Sequence, residues 1–251
     1  MNLRSILAPV LRAGIDHVPV DPARPGALRA RLKSPRARLL IDVRKSTNYR
    51  FTRYGENPNS PHQIASQIYL ETGRREAVRE YLSKFLAARR PTSLADLLFG
   101  EESDALHPLT TLSPLIKFQP WRGEMVETPG FMGQREKSFG PVFDQYLEDE
   151  VVKQTAAVDS IRRQGYQPET HRRGYLKGYL LLAGGDYRFI AEDGKHRTGA
   201  MNALGLKEIA VRIAPNRPSV VDEREVDEWP LVKSGVCSHE LALRLLHRHF
   251  E

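Results

Sequence analysis

The chain of 251 residues has one cysteine, Cys237. A single thiol excludes an internal disulfide framework and a cysteine-rich zinc site. Cys237 lies in "SGVCSHE", just ahead of an expected helix, and reads as a small half-buried residue, with a catalytic thiol as the alternative. Tryptophan is scarce as well. Its two copies stand beside prolines, in "FQPWRGE" and "DEWPLVKSG", where they suit core anchors of connecting loops or stacking platforms for a sugar or base. No run of about 20 apolar residues occurs, so no transmembrane helix is expected. The opening "MNLRSILAPVLRAGIDH" is broken by Pro9 and Arg12 and reads as a helix or loose arm rather than a signal peptide. Internal repeats and long low-complexity tracts are missing too. These absences make cytoplasmic the expected location.

What is present is ordinary in apolar content and unusual in charge. Hydrophobic residues are 40% and charged residues 27%, but the net charge is +7 and the pI about 9.6. That balance favours anionic partners: nucleotide, phosphosugar, nucleic acid or a membrane surface. Much of the excess sits in "LRARLKSPRAR", Leu28 to Arg38, which reads as a solvated surface or as a phosphate-contacting arm. "STNYRFTRYGENPNSPHQ" interleaves aromatics with Arg50 and Arg53 and reads as a surface loop with buried rings or as a contact for an anionic polymer.

Hydrophobic spacing predicts the elements. "ARLLIDV" (Ala37 to Val43) and "EIAVRI" (Glu208 to Ile213) have strand length. "GYLLLAGGDYRFIAEDG" places Gly184-Gly185-Asp186 between two apolar runs, a β-hairpin signal. Helices are expected over "QIASQIYLETG", "RREAVREYLSKFLAAR", "TSLADLLFG", Phe139 to Arg163, and from Ser238 onward. The first thirty-five residues look irregular, and Glu101 to Lys137 is rich in proline and glycine. The expected layout is therefore α+β in two parts. Residues 1–137 would form a mainly helical N-terminal region with an irregular basic arm and a Pro-rich connector. Residues 138–251 would carry a small mixed sheet and a C-terminal helix.

One joint concentrates chemistry. In "YRFIAEDGKHRTGAMNALGLKEIAVRI", Asp193-Gly194-Lys195-His196-Arg197 stands where a helix should begin. A helix N-terminus exposes unpaired N–H groups and partial positive charge, so it can hold an anion. Gly194 permits close approach of a ligand, and Lys195 and Arg197 add charge and donors. His196 could bond a phosphate oxygen or act as an acid. Asp193 could cap the helix or hold a metal. The plain alternative is a solvated, capped helix start. His247 and His249 lie two apart on a helix, an unsuitable metal pair.

The order Ser160-Ile161, Gly165, hairpin, Asp193 to Arg197, Leu204-Gly205 and Ile209 to Ile213 resembles the ParB/sulfiredoxin-like superfamily over residues 145–215. Lys195 stands where sulfiredoxins need a catalytic cysteine. His196 replaces the acidic residue of the CTP-binding box in ParB proteins, and no helix-turn-helix is evident after residue 215. The Asp-Gly-His-His-Arg box of free-serine kinases is most similar. That resemblance implies a small mixed-sheet ParB/sulfiredoxin-like domain binding ATP or another nucleotide with Mg²⁺, and phosphotransfer to a small hydroxyl-bearing metabolite or sugar. Gly194, Lys195, His196, Arg197 and Thr198 would hold the phosphates, and Asp193 would assist Mg²⁺. A base is expected near Glu148, with Asp149 and Glu150 not separable from it. The segment from "SFGPV" to "WPLVKSG" is also similar to ParB-like proteins of bacterial surface-polysaccharide loci. A ParB-like DNA-binding protein or nuclease is the alternative, and the oligomeric state is not fixed by the sequence.

Overall fold

The computed structural model describes residues 15–101, 103–127 and 142–251. The expectations for the N-terminal stretch to Gly14, and for a helix beginning at Phe139, fall outside or partly outside those residues. In chain order the elements are β1 (Asp16–Pro19), α1 (Pro25–Leu32), β2 (Ala37–Asp42), β3 (Ser46–Thr47), α2 (Pro61–Thr72), α3 (Arg75–Ala88) and α4 (Leu94–Phe99). They continue with β4 (Ile116–Gln119), β5 (Glu124–Glu127), α5 (Asp144–Gln164), β6 (Lys177–Ala183), β7 (Asp186–Ala191) and α6 (Lys195–Ala203). The last are β8 (Glu208–Ile213), β9 (Val220–Asp222), α7 (Pro230–Lys233) and α8 (His239–His247).

The protein is α+β, built on one mixed sheet in the order β1-β2-β8-β6-β7-β3, with β9 also on β6. Strands β8 and β9 share one edge of β6 in succession: Gly178 pairs with Ile213, and Leu181 with Val221. The hairpin β6–β7 closes through Gly184-Gly185, as its sequence predicts. The expected irregularity of the first thirty-five residues gives way to β1 and α1. Strands β1, β2 and β3, all before residue 137, bond into the same sheet as β6 to β9, all after it. The segment read as loop around "FQPWRGE" is instead a second, two-stranded sheet, β4–β5.

Central strand β6 is apolar and buried from Gly178 to Ala183 because both its faces are covered there. Tyr179, Leu181 and Ala183 face a core with Leu106, Trp121, Trp229 and the α8 residues Leu241 and Leu245. Leu180 and Leu182 face the other way, into a core with Leu39, Ile41, Val158, Ala200 and Met201. Each such fully buried aliphatic side chain contributes about 1.5–3 kcal/mol. Both tryptophans are loop anchors: their rings meet at 5.4 Å, and Trp121 Nε1 donates to the buried Tyr179 hydroxyl at 3.1 Å. A third cluster, with Ala65, Val78, Leu82, Leu86, Leu147 and Val151, binds α2, α3 and α5 together. It fixes α2 and α5 around the start of α6.

Caps follow the sequence closely. The Ser60, Ser93 and Ser238 hydroxyls accept from the third residue of α2, α4 and α8. Phe143, inside the helix expected over Phe139 to Arg163, stands exposed at the N-cap of α5 instead. The basic segment is engaged: Arg29 pairs with Glu225 at 2.6 Å and Arg31 with Asp16 at 3.1 Å. Arg50 is buried and donates to the Pro114 carbonyl at 2.8 Å, beside buried Phe51 and Tyr54. No helix among the described residues is long and apolar enough to cross a membrane.

Candidate functional site

The first turn of α6 forms as its sequence suggests, with Gly194 at the N-cap at φ 77°. A side chain at Gly194 would lie 2.2 Å from the Leu176 side chain, so only glycine fits. No side-chain cap covers the first-turn N–H groups. The expected cap, Asp193, turns away; its Oδ1 accepts from the Lys177 backbone N–H at 3.0 Å and lies 3.8 Å from Arg197. Its carboxylate therefore braces the hairpin beside α6 and is already shared between two donors, a poor start for Mg²⁺.

Consecutive residues of α6 face different neighbours. Arg197 is buried, and its Nη1 donates to the Gly174 carbonyl at 2.5 Å. Thr198 is buried and bonds back to the Gly194 carbonyl at 3.2 Å. Lys195 and His196 point to α5, where both meet one carboxylate. Lys195 Nζ lies 2.5 Å and His196 Nε2 3.0 Å from Glu150 Oε2. Glu150 is 5% exposed. Glu148 sits elsewhere on α5, half exposed and 3.8 Å from Arg79. The structure thus brings Glu150, and not Glu148, to the box.

Helix α2 completes the site with a residue that sequence reasoning passed over. His62, second in α2, sits with its ring 4.9 Å from that of His196, itself second in α6. The two helix starts touch because Gly199 has no side chain; a Cβ there would lie 2.6 Å from the His62 carbonyl carbon. Gln154, one turn beyond Glu150, ties three helices together. It donates to Ser66 Oγ at 2.7 Å and to the His196 carbonyl at 3.1 Å, and its oxygen lies 3.2 Å from His62 Nδ1. A signal for this face was available: Tyr146, Glu150 and Gln154 recur every four residues beside the apolar stripe of α5.

The electrostatics follow from this crowding. Burial alone would raise the Glu150 pKa, but the His196 hydrogen bond and the Lys195 charge outweigh it and hold the carboxylate well below its usual range. Burial, with the Lys195 and His196 charges, depresses His62. Burial also lowers His196, opposed in part by Glu150. The site is a pair of histidines with lowered pKa around a buried carboxylate held ionised. His62, Glu150 and His196 are the one group of three His, Cys, Asp or Glu side chains placed to share an ion among the described residues.

The site opens onto a small cleft of about 60 Å³. Tyr146, Glu150 and Lys195 line it together with Pro61, Leu82, Phe85, Leu86 and Arg89. Burial and the Arg50 charge lower the Arg89 pKa, so its guanidinium is a desolvated cation. Cys237 lies apart, buried, its thiol pushed up to about 12 by burial.

Comparison of the chain with protein-family models, with curated proteins and with solved structures gives no match.

Proposed function

We propose that this protein is a nucleotide-dependent phosphotransferase of ParB/sulfiredoxin-like type, acting on a small hydroxyl-bearing metabolite or sugar. The observation that carries the proposal is Glu150, buried against Lys195 and His196 at an uncapped helix start and open to the cleft. A nucleotide is a flat apolar base joined to a polyanion. The cleft offers matching chemistry: an apolar wall of Pro61, Leu82, Phe85 and Leu86, and the cations Arg89 and Lys195.

Lys195 links binding to chemistry. While it sits on Glu150, the carboxylate is too weak a base to take a hydroxyl proton. A bound phosphate draws the ammonium to itself, and the burial that opposes charge on Glu150 then raises its basicity. Glu150 accepts the acceptor's hydroxyl proton as that oxygen forms its bond to the terminal phosphorus and the bond to the nucleoside diphosphate breaks. The first-turn amides of α6 and Lys195 stabilise the charge on the phosphoryl oxygens. Mg²⁺ would arrive with the nucleotide and neutralise its phosphates. The nucleic-acid alternative has less support, because Arg29 and Arg31 of the basic segment are paired within the chain.

The test is calorimetry and thermal shift with ATP, ADP, CTP and GTP, with and without Mg²⁺. Wild type should bind at least one nucleotide, Lys195→Ala should lose most of that affinity, and Glu150→Gln should bind but not transfer phosphate. Failure of every nucleotide to bind wild type overturns the proposal.

A further inference from the structure

We infer that His62, Glu150 and His196 form a binding site for a divalent transition-metal ion of zinc type, in which the ion replaces the Lys195 ammonium as the counter-charge of Glu150. The inference stands apart from the nucleotide reading, since it needs only these side chains and their supports.

The hydrogen-bond network fixes which nitrogen of His62 is free. Ser66 Oγ donates its one proton to the His62 carbonyl at 2.8 Å, so toward Gln154 it can only accept. The His196 carbonyl is likewise an acceptor only. Both therefore require the amide nitrogen of Gln154, whose two hydrogens they take at 2.7 and 3.1 Å. The amide oxygen is thereby turned toward His62, and Nδ1 must carry the proton it receives at 3.2 Å. Nε2 is left with a bare lone pair. A ligating histidine that donates its other N–H to a carbonyl is the usual support of a metal site, orienting the ring and raising its basicity.

Distance and donor type agree. The ligand atoms of the three residues lie within 4.8 Å of one another. Around an ion with bonds of about 2.0–2.2 Å, neighbouring ligands stand roughly 3.4 Å apart. His196 Nε2 and Glu150 Oε2, at 3.0 Å, are already closer than that, and closing the widest gap, at most 4.8 Å, takes about 1.4 Å of side-chain movement. Two imidazoles and one carboxylate, with positions left for water, are a donor set for zinc and its neighbours rather than for Mg²⁺ or Ca²⁺. The packing of Gly199 against the His62 backbone holds the two helix starts in place before any ion arrives.

The Lys195 ammonium must leave, and the proton that His196 Nε2 donates to Glu150 must move to Nδ1 before Nε2 can ligate. Lys195 Nζ contacts the same oxygen as His196, but its side chain is 38% exposed, so it can swing into the cleft. An ion held in this way occupies the Glu150 lone pairs, so the metal-bound state and the state in which Glu150 acts as a base exclude each other.

The test is titration of untagged, chelator-stripped full-length protein with Zn²⁺ and with Co²⁺, without nucleotide. One ion per chain should bind, with Co²⁺ giving the visible absorption of a site of low coordination number. Lys195→Met should tighten binding at least tenfold, a gain that misfolding cannot produce. His62→Phe should weaken it at least a hundredfold, and circular dichroism should show that variant folded. A wild type that takes up no stoichiometric ion, or an affinity that Lys195→Met fails to raise, overturns the inference. Neither result bears on nucleotide binding, which is measured separately in the presence of chelator.

Discussion

Replacing Gly199 by alanine tests the contact that brings two helix starts together. The added Cβ would lie 2.6 Å from the His62 carbonyl carbon, 2.7 Å from its oxygen and 2.9 Å from the Gln63 nitrogen. Ordinary contacts between such atoms begin near 3.5 Å, so the first turn of α2 must retreat by about 1 Å. All three obstacles are backbone, and α2 is pinned by its buried residues Gln63, Ala65 and Ser66. Forced overpacking of this kind costs about 1–3 kcal/mol. Alanine in a helix returns up to about 1 kcal/mol over glycine. The net expectation is a loss of about 0–2 kcal/mol. Gly26, in α1, is the control, because a Cβ there meets nothing within 4 Å. Gly26→Ala should be neutral or stabilising, and the difference between the two variants should be about 1–3 kcal/mol, the overpacking cost alone. Urea denaturation with a common slope measures both. A Gly199→Ala protein as stable as Gly26→Ala would refute the close approach and with it the placement of His62.

Glu150→Gln removes the carboxylate that competes for Lys195, so ADP should bind about tenfold more tightly, or about 1.4 kcal/mol, by calorimetry; weaker binding would place Lys195 outside the phosphate site. Arg197→Ala should cost about 1.5–3 kcal/mol in thermal denaturation by releasing the Gly174 carbonyl, and should speed hydrogen exchange around residues 171–176 while leaving nucleotide affinity nearly unchanged. His249 is buried beside Phe51 and Thr47, and burial, with the Arg188 charge, lowers it from 6.5 to about 3. Its folded pKa is depressed, so its contribution is complete above pH 6.5 and is lost as pH falls from there toward about 3, on the order of 5 kcal/mol at the acid end. His249→Phe should flatten the fall in melting temperature between neutral and acid pH. Cys237 should resist iodoacetamide in the native protein and react once it is unfolded, as counted by mass spectrometry.

Local patterns revealed those elements that local forces decide. The serine caps, the hairpin at Gly184-Gly185, the strands β2 and β8 and the start of α6 all follow from side chains within a few residues of one another. The β4–β5 hairpin was hidden because Pro120 and Gly123, which turn its corner, also signal irregular loop. The membership of β1, β2 and β3 in one sheet with β6 to β8 depends on pairings such as Leu39 with Val211 and Ser46 with Phe189, which leave no mark on nearby sequence. The same limit applies at the site. The charged helix start at Lys195 and His196 could be seen, but Glu148 and Glu150 flank the apolar stripe of α5 on either side. Only the side on which α6 packs selects between them. His62 gave no signal of its own, since a histidine after "NSP" looks like any residue of a first helical turn.

The interleaved sheet sets the order in which the newborn chain can finish folding. Strand β2 leaves the ribosome well before its partner, because Leu39 must wait for Val211. At about 5–20 residues per second that wait lasts roughly 9–34 seconds. During it, Leu39 and Ile41 lack the strand that will cover one edge, and β3 lacks β7 altogether. Pairings this distant also make for slow folding. The period of synthesis, rather than the finished molecule, is when this chain is most open to aggregation and most in need of a chaperone.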